Sequence, residues 1–480
     1  MSLTLYDSMT RAKRPFDPVT PGHAGLYFCG PTVYSEPHLG HARGPVVFDV
    51  LRNWLEHLGY AVRLVSNVTD VGHLVDDGDD GEDKLAARAA LERLEPMEVA
   101  EKYFWAYFDA MAKLGVRRPS VVPRATGHIP EQIALVEDLV RAGLAYERHG
   151  NVYFDVSAWS DYGVLSGRDP DALLEGTRVE TRGDKDDPRD FALWKRAEGG
   201  HLMRWSSPWG EGFPGWHLEC SVMSTKYLGD EFDVHGGGLD LIFPHHECEI
   251  AQARGAGKPF ARTWMHWNML TLGGEKMSKS KGHVVELAPL FERHAPDVVR
   301  FHLLRSHYRS VSDFGEEALA ASEGGLRRLR DAARVAREVA GEASPDGGYA
   351  ADARAAFDAA MNDDLATPQA LAALFDLARD VNRDASHLTP EQAADAAETF
   401  ASRLGAVLGV APFDDAATEG AAARARFDGL VAMVLEARQA ARERRDFAAA
   451  DALRDRLEAL GLEIEDTPEG PRVRVHDAPT

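Results

Sequence analysis

Two histidines on either side of a glycine stand where a helix is expected to begin, and imidazoles in such a place can act on phosphate. They are His38 and His41 in the run Pro37–His41, with Gly40 between them. Backbone N–H groups and the helix dipole favour anions at a helix N-terminus, and Gly40 lets a planar group approach the backbone closely. The pattern predicts a phosphate site, although a helix-start turn with incidental histidines fits this motif equally well.

A lysine-rich loop far downstream carries charge suited to the same ligand. The segment Glu275–Gly282 holds three ammonium groups and two hydroxyls. Lysine is a compact point charge, and a short loop next to glycine can close on a polyphosphate and then release it. An exposed lysine-rich turn is the alternative for the loop alone, but the order Lys-Met-Ser-Lys-Ser together with the His-x-Gly-His motif favours a nucleotide site. The polar residues are Lys276, Ser278, Lys279, Ser280 and Lys281.

The elements that position the histidines form a strand, helix and strand unit. Apolar runs at Leu26–Phe28 and Val62–Val65 predict two strands. Between them, apolar residues from Val47 to Leu58 recur at three- and four-residue spacing and Gly59 follows as a C-cap, which predicts a helix. Strands joined in this way run parallel, so the histidines lie at the mouth of the connecting helix.

Further along the chain, a second α/β stretch gives way to helices. Residues 205–273 contain the segment Trp216–Tyr227, then a glycine-rich turn and then a predicted helix opened by Pro244. After about residue 310, periodic apolar positions predict a helical bundle, in which Thr367 is an N-cap and Pro368 the first helical residue. A helical pair and a strand at Arg472–Val475 close the chain. The periodic positions of the first bundle helix are Leu319, Leu326, Leu329 and Ala333.

Composition and charge exclude several classes of protein. The 480 residues are 44% hydrophobic, enough for several domains with real cores. We find neither a cationic, apolar leader nor an apolar run of about 18 residues, so we expect neither secretion nor a membrane span. The net charge of -23 argues against a uniform coat on nucleic acid or anionic membrane. Three cysteines are too few for a disulfide framework, which predicts a cytoplasmic protein whose cysteines serve a metal or catalysis.

The two signature motifs resemble those of the class I aminoacyl-tRNA synthetases, and the chain as a whole is similar to the cysteinyl-tRNA synthetases. The resemblance implies a ligase that joins cysteine to AMP with ATP and then transfers the cysteine to the 3′ end of tRNA(Cys). ATP, L-cysteine and tRNA(Cys) are the implied partners, Mg²⁺ accompanies ATP, and we expect a monomer without membrane contact. Four further segments carry the resemblance: Phe28–Tyr34, Gly215–Cys220, Asp233–Gly238 and Pro244–Gln252.

The resemblance also implies the fold class and its division into domains. The class is α/β, with a Rossmann-type catalytic domain that contains a parallel sheet and an insertion, followed by an α-helical bundle and a small C-terminal RNA-binding module. The predicted boundaries are 1–118 for the first half of the catalytic domain, 119–202 for the connective insertion, 203–268 for the second half, 269–314 for the domain that carries the lysine loop, 315–408 for the bundle and 421–480 for the anticodon-binding module.

A zinc ion in the amino-acid pocket is the most specific implication of the resemblance. Two cysteines, a histidine and a glutamate hold it in the family, and they fall on Cys29, Cys220, His245 and Glu249. These are zinc-binding residue types, and the last two are four apart on one helical face. Without that pair, both cysteines would fit a core equally well. Zinc prefers a thiolate to a neutral hydroxyl, so the site would separate cysteine from serine. We expect Glu249 to be the weak ligand and Cys248 an ordinary buried thiol.

The other functional residues follow from the resemblance one position at a time. Four would stabilise the transition state of adenylation, namely His38, His41, Lys276 and Lys279. Three would contact the amino acid, namely Cys29, Thr69 and Trp216. The ATP site would consist of Pro31, Thr32, His38, Gly40, His41, His235, Gly237, Lys276, Ser278, Lys279 and Ser280. Alternatively, Trp216 would be a core aromatic residue, Thr69 a hydroxyl residue of a strand and His235 a histidine in a turn. The chain departs from the family pattern at Val71–Leu74 and Lys281–His283, so no loop contacts are predicted there.

Arginines near the end of the sequence could hold RNA in spite of the negative total charge. Between Arg424 and Arg456 there are eight arginines and six acidic residues, a locally positive balance. Arg438, Arg442 and Arg445 recur at three- and four-residue spacing, which predicts one helical face. Arginine can pair with phosphate and stack on unpaired bases, so this face would bind tRNA. A solvated amphipathic helix pair is the alternative.

Two other functions fit part of the sequence. A ligase that joins activated cysteine to an amino-sugar resembles the same catalytic core but lacks the C-terminal RNA-binding module. A non-catalytic paralogue could bind tRNA or zinc as a regulator. The arginine-rich tail favours the tRNA ligase over the first alternative, and the intact signature loops argue against the second.

Overall fold

The computed structural model describes most of the chain. The described residues are 2–74, 83–169, 184–198, 201–276, 284–413, 415–458, 462–467 and 470–475. The strands are β1 (Thr4–Asp7), β2 (Ala12–Pro15), β3 (His23–Phe28), β4 (Ala61–Ser66), β5 (Ala145–Arg148), β6 (Asn151–Phe154), β7 (Phe191–Arg196), β8 (Trp205–Ser207), β9 (Gly210–Pro214), β10 (Glu231–Gly238), β11 (Phe260–Trp267), β12 (Leu270–Leu272), β13 (Glu275–Lys276), β14 (Ser312–Phe314), β15 (Leu462–Thr467) and β16 (Gly470–Val475).

The helices alternate with these strands at first and then dominate the second half of the chain. They are α1 (Gly40–His57), α2 (Lys84–Glu92), α3 (Pro96–Lys113), α4 (Ile129–Arg141), α5 (Leu218–Leu228), α6 (Glu247–Gly255), α7 (Leu287–Arg293), α8 (Pro296–Leu304), α9 (Glu316–Ala340), α10 (Ala351–Asn362), α11 (Thr367–Asp384), α12 (Pro390–Thr399), α13 (Asp415–Glu443) and α14 (Phe447–Glu458). Within the described part of the chain, none of them is both long and apolar enough to cross a bilayer.

Four parallel strands form the central sheet. Their order is β11, β10, β3, β4, with Leu26 of β3 opposite Val234 on one side and Leu64 on the other. Helix α1 joins β3 to β4, which confirms the predicted unit and its parallel strands. Leu51 and Trp54 of α1 are fully buried, because the apolar face defined by their spacing packs into the core over the sheet. In such sheets ligands bind at the carboxyl ends of the strands, where the signature residues lie.

The insertion contributes a helix and an antiparallel sheet of its own. The sheet order is β5, β6, β7, β9, β8. Strands β8 and β9 lie beyond residue 202, so this sheet continues past the predicted end of the insertion. Helix α4 was not predicted, although Leu135, Val136 and Leu139 recur at helical spacing and are buried.

Helices α9 to α12 pack on one another and form the predicted bundle. All four periodic apolar residues of α9 are buried, as the spacing required. The predicted N-cap of α11 is wrong, because Ala366 occupies that position and Thr367 is the first helical residue. The Thr367 hydroxyl donates instead to the carbonyl of Leu304 at 2.8 Å, so it joins the bundle to α8.

The last part of the chain, Asp414–Thr480, is a separate compact unit. It contains α13, α14 and an antiparallel hairpin of β15 and β16, which confirms the predicted helical pair and terminal strand. A small apolar cluster joins the helices to the hairpin. Its members are Leu457, Leu462, Val431, Val434 and Leu435.

Candidate active site and metal centre

A cleft of about 460 Å³ opens at the start of α1, and His38, Gly40 and His41 line it. The two imidazole rings stack with their centroids 3.7 Å apart. Leu39, the N-cap residue of α1, makes no side-chain hydrogen bond to the first turn. Backbone N–H groups at a helix start favour an anion, and phosphate binding by this part of the cleft stays a prediction.

The other residues predicted to bind ATP or cysteine lie in the cleft wall or behind it. Thr32 and Trp216 line the cleft. Pro31 presents its carbonyl to the backbone N–H of Thr69 at 3.1 Å. The Thr69 hydroxyl donates to the buried carboxylate of Glu219. In this structure the Thr69 hydroxyl is therefore engaged behind the wall, and its contact with an amino acid stays a prediction.

Four side chains beside the cleft bring metal-binding atoms together. Sγ of Cys29 lies 3.7 Å from Sγ of Cys220 and 3.6 Å from Oε1 of Glu249. Nε2 of His245 lies 3.1 Å from the same oxygen, and all four donor atoms are within 4.8 Å of one another. Ligand atoms around a tetrahedral zinc, at bond lengths of about 2.0 to 2.3 Å, are themselves about 3.3 to 3.8 Å apart. The donor set fits such an ion.

Each of these four residues is fixed by an element of the core. Cys29 directly follows β3. Cys220 is the third residue of α5, and Glu249 is the third residue of α6. His245 belongs to the short helical turn Ile242–His246, which leads into α6. Because the turn runs on into the helix, the four-residue spacing brings His245 beside Glu249 as predicted.

Further histidines orient the donor set, and sequence analysis missed their part in it. Nδ1 of His217 lies 2.7 Å from Nδ1 of His245, which leaves Nε2 of His245 facing Glu249. Nε2 of His235 lies 2.7 Å from Oε2 of Glu249, and His235 is fully buried. Hydrogen bonds of this kind fix the orientation of metal ligands. His235 therefore lies beside the donor set rather than in the cleft, and its predicted contact with ATP gains no support.

A second donor group overlaps the first. Nε2 of His246 lies 3.3 Å from Sγ of Cys29, and together with His235 and Glu249 they could also hold an ion. On its other side, Nδ1 of His246 lies 2.8 Å from Nε2 of His266. A Cβ at position 237 would lie 2.4 Å from the His246 ring. The close approach of this ring explains why Gly237 is a glycine, and the predicted ATP contact of Gly237 stays a prediction.

Burial determines the charges that these groups prefer. Burial, and then the neighbouring Cys220 thiol, raises the pKa of Cys29 well above its usual range. Burial likewise raises the pKa of Cys220 to about 12 and lowers the pKa of His245 and His246 well below theirs. The protein alone thus favours neutral thiols and neutral imidazoles. A divalent cation would reverse the preference of the thiols, since a coordinating thiol is deprotonated.

Trp216 connects the donor set to the cleft. Its ring lies 4.3 Å from the ring of His245 and stacks on His73 at 3.8 Å. Nδ1 of His73 lies 2.6 Å from the Thr32 hydroxyl, and Nε2 lies 2.8 Å from Nζ of Lys84. His73 belongs to the segment where the sequence departs from the family pattern. The departure from the family pattern could have pointed to His73, but no functional prediction was drawn from it.

Comparisons with known proteins identify the family. Residues 15–324 match the tRNA synthetases class I (C) catalytic domain, residues 356–412 the DALR domain and residues 425–474 the cysteinyl-tRNA ligase anticodon binding domain. A cysteine–tRNA ligase of Thermus thermophilus is 54% identical over 482 residues, which cover 99% of this chain and all of that protein. This chain belongs to the cysteine–tRNA ligase family. The Deinococcus radiodurans member is 53% identical over 98% of this chain and 96% of its own length.

Solved structures of other class I enzymes share the fold of this cysteine–tRNA ligase family member. Mycobacterium tuberculosis methionyl-tRNA synthetase in complex with methionyl-adenylate has a TM-score of 0.59 at 18% identity, over 80% of this chain and 89% of that one. An Agrobacterium radiobacter LeuRS in a ternary complex with tRNA has a TM-score of 0.58 at 13% identity, over 82% and 85%. The predicted α/β fold class and the predicted enzyme class, a ligase, are confirmed.

The lysine loop of this ligase begins at the end of β13. Lys276 is the last residue of that strand, which pairs antiparallel with β12. Residues 277–283 lie outside the described residues, and with them Ser278, Lys279 and Ser280. The roles assigned to the loop stay predictions.

The arginines predicted to bind tRNA do not share one exposed helical face. Arg438 is only 7% exposed, whereas Arg442 is exposed. Arg445 lies beyond the end of α13 with a φ of 61°, and its N–H donates to the carbonyl of Arg442 at 2.9 Å. This left-handed residue closes the helix before α14 begins. The prediction that the three arginines share one helical face is therefore wrong. Contacts of the individual arginines with tRNA stay predictions.

Proposed function

We propose that this chain activates L-cysteine with ATP to cysteinyl-adenylate, transfers the cysteine to the 3′ end of tRNA(Cys), and selects the amino acid through a zinc ion. The supporting observation is the buried donor set of Cys29, Cys220, His245 and Glu249 beside the cleft that holds the signature histidines. Trp216 joins the two, because it lines the cleft and contacts His245. An amino-acid site and a nucleotide site that share one cleft are what adenylation needs.

The residues around the donor set would prepare it for the ion. His217 holds His245 in one orientation, and His235 engages one oxygen of Glu249 so that the other faces the thiols. When bound, zinc would favour a thiolate over a neutral hydroxyl, so cysteine would bind in preference to serine. A site that depends on one strong interaction can reject an analogue lacking it by orders of magnitude. We expect the shared carboxylate of Glu249 to be the weakest of the four ligands.

Adenylation needs positioning and charge stabilisation rather than a covalent enzyme intermediate. A carboxylate oxygen of cysteine attacks the α-phosphorus of ATP, the bond to the bridging oxygen of the β-phosphate breaks, and pyrophosphate leaves with Mg²⁺. His38 and His41 at the start of α1 would stabilise the charge on one side. Lys276 and Lys279 would approach from the lysine loop. The terminal ribose hydroxyl of the tRNA then attacks the carbonyl carbon and AMP leaves.

The C-terminal half of the chain supports a tRNA as acceptor over an amino-sugar. Residues 425–474 match the anticodon binding domain of this family, and an enzyme acting on a small sugar has no need of it. Arg442 is an exposed cation of α13 within this region. We expect the chain to act as a monomer, which light scattering of the purified protein tests.

Metal analysis and cysteine binding test the zinc site. Replacing one ligand in Cys220→Ser should lower the zinc content and weaken cysteine binding, because the remaining donors cannot complete the tetrahedron. Cys248→Ser is the matched control, since Cys248 is equally buried but its Sγ lies 3.4 Å from the hydroxyl of Tyr162. Retention of full zinc and full cysteine affinity in Cys220→Ser would remove the pocket from the proposal.

Two assays separate the proposed function from its alternatives. Cysteine-dependent ATP–pyrophosphate exchange is expected of both ligases and not of a regulatory paralogue. Charging of tRNA(Cys) is expected of the tRNA ligase alone. Exchange without charging, together with transfer of cysteine to an amino-sugar, would replace the tRNA by the sugar as acceptor.

A further inference from the structure

The cleft wall holds a lysine in a fixed position. Nζ of Lys84 lies 2.8 Å from Nε2 of His73, and Lys84 lines the cleft. An ammonium has only donors, so Nε2 of His73 accepts this hydrogen bond. The proton of the neutral ring then lies on Nδ1, which donates to the Thr32 hydroxyl at 2.6 Å. The hydrogen-bond network thus assigns one tautomer of His73 and directs its accepting nitrogen at the lysine.

The backbone holds the same two residues together. The backbone N–H of Lys84 donates to the carbonyl of His73 at 3.0 Å. One residue earlier, the Asp83 carboxylate accepts hydrogen bonds from the N–H groups of Leu85 and Ala86 and caps α2, and it also accepts one from Gly72 at 3.2 Å. The two segments are therefore clamped to each other. The position of the ammonium depends on this clamp as well as on the imidazole.

The lysine and histidine lie on the amino-acid side of the cleft. The His73 ring stacks on Trp216, which contacts His245 of the donor set. The thiol and the carboxylate are at opposite ends of cysteine, so a thiol at the donor set leaves the carboxylate in the cleft. Arg43, another cation in the cleft lining, directs its terminal nitrogens at backbone carbonyls of other segments. Lys84 contacts His73, which stacks on Trp216, so Lys84 is a cleft cation on the amino-acid side.

We propose that Lys84 binds the carboxylate of cysteine and that His73 is the positioning residue which holds Lys84 in place. The inference rests on the proposed function for the identity of the amino acid. A cation at this point would hold the carboxylate while the thiol occupies the donor set, and both ends of the substrate would be recognised.

Binding of cysteine and of cysteamine, which lacks the carboxylate, tests the assignment. Calorimetric titration of zinc-loaded Lys84→Met should show the Kd of cysteine raised about 10- to 100-fold, the usual effect of losing a hydrogen bond between charged groups. The Kd of cysteamine should stay within about twofold. His73→Phe keeps the stacked ring but loses both nitrogens, so it should raise the Kd of cysteine by a smaller factor. Zinc content should be unchanged in both variants.

Arg88→Met is the matched control, because Arg88 is one turn further along α2 and pairs with Glu92 at 2.5 Å. It should bind both ligands like the parent. Equal losses for cysteine and cysteamine in Lys84→Met, or no loss for either, would overturn the carboxylate assignment. A raised KM for ATP with unchanged cysteine binding would move the contact to the α-phosphate and also overturn it. Failure of the proposed function is a separate result, namely a parent protein without zinc or without cysteine-dependent exchange.

Discussion

Replacing Arg43 by lysine should lower both the stability of the protein and the rate of adenylation. Arg43 lies in α1 with 1% exposure, and burial lowers the pKa of its guanidinium to about 10. Its terminal nitrogens donate to the backbone carbonyls of Asn268, Met269, His307 and Ser310 at 2.7 to 3.0 Å. The helix that begins with the signature histidines is thereby joined to the segment that leads through β12 to the lysine loop.

The expected loss of folding stability follows from the number of N–H donors that lysine can offer. A lysine ammonium has three N–H donors for four carbonyls and lacks the planar fork that reaches two pairs of acceptors. One or two carbonyls therefore lose their partner, at about 1 to 3 kcal/mol each, which sums to about 1 to 6 kcal/mol. At an unfolding entropy of about 2.1 cal/mol/K per residue, the unit Met1–Phe413 should then melt about 1 to 7 °C lower.

Scanning calorimetry and ATP–pyrophosphate exchange measure the two effects of Arg43→Lys. The exchange kcat should fall about 10- to 100-fold, because a shift of about 1 Å between the two halves of the site can cost that much. Arg52→Lys is the control on the same helix, since Arg52 contacts Glu56 near the surface at 3.1 Å. An unchanged Tm and exchange rate in Arg43→Lys would show that the four carbonyls do not depend on this guanidinium.

Other perturbations should separate the functions of the parts. Deletion after Phe413 should leave the exchange rate within about twofold of the parent, since the first compact unit ends there. It should raise the KM for tRNA in charging and make charging less dependent on salt. An unchanged KM for tRNA and an unchanged salt dependence would show that the C-terminal unit does not read tRNA. Lys279→Ala should lower the exchange rate about 100- to 1000-fold, as for one lost contact to the transition state, and leave cysteine binding intact. A change of less than twofold in the exchange rate would show that the loop is only a surface turn. Burial lowers the pKa of His302, so the unfolded chain binds that proton more readily, and stability should fall as the pH drops below about 6.5, by at most about 1.4 kcal/mol per pH unit. The variant His302→Gln should lose this part of the pH dependence of Tm, and an identical pH profile would contradict the assignment.

The parts of the fold that were predicted from sequence are those with local signals. The apolar spacing of α1 and the flanking apolar runs specify a unit whose strands must be parallel, and α9 is equally periodic. The sheet of the insertion has no comparable signal, because its strands are short and their pairing is non-local. One example is the register shift between β6 and β7 at Val152 and Tyr153, which depends on how the two strands pair. The N-cap of α11 failed for a related reason, since the Thr367 hydroxyl found a partner on α8.

The candidate site likewise contains residues that could be predicted from the sequence and residues that could not. The four donors were assigned through the family resemblance, and their atoms do lie together. The role of the surrounding histidines beside the donor set was missed, because His217, His235 and His266 come from three separate segments that meet only in the folded chain. Spacing likewise placed Arg438 on a helix but could not show that neighbouring elements bury it. A pattern along one element specifies its faces, whereas the neighbour that covers each face depends on the rest of the fold.

The central sheet explains why residues so distant in sequence share one site. Cys29 follows β3, Thr69 follows β4 and Asn268 follows β11, so all three lie at the carboxyl edge of parallel strands. That edge faces the start of α1, where an anion is favoured. Trp216 lies at this edge with the donor set beside it and the cleft in front. A cysteine held there would present its thiol to the donor set and its carboxylate to the nucleotide. Selection of the side chain and activation of the carboxylate would therefore depend on the same strand ends, so a ligand that lacks either group would engage only half of the site.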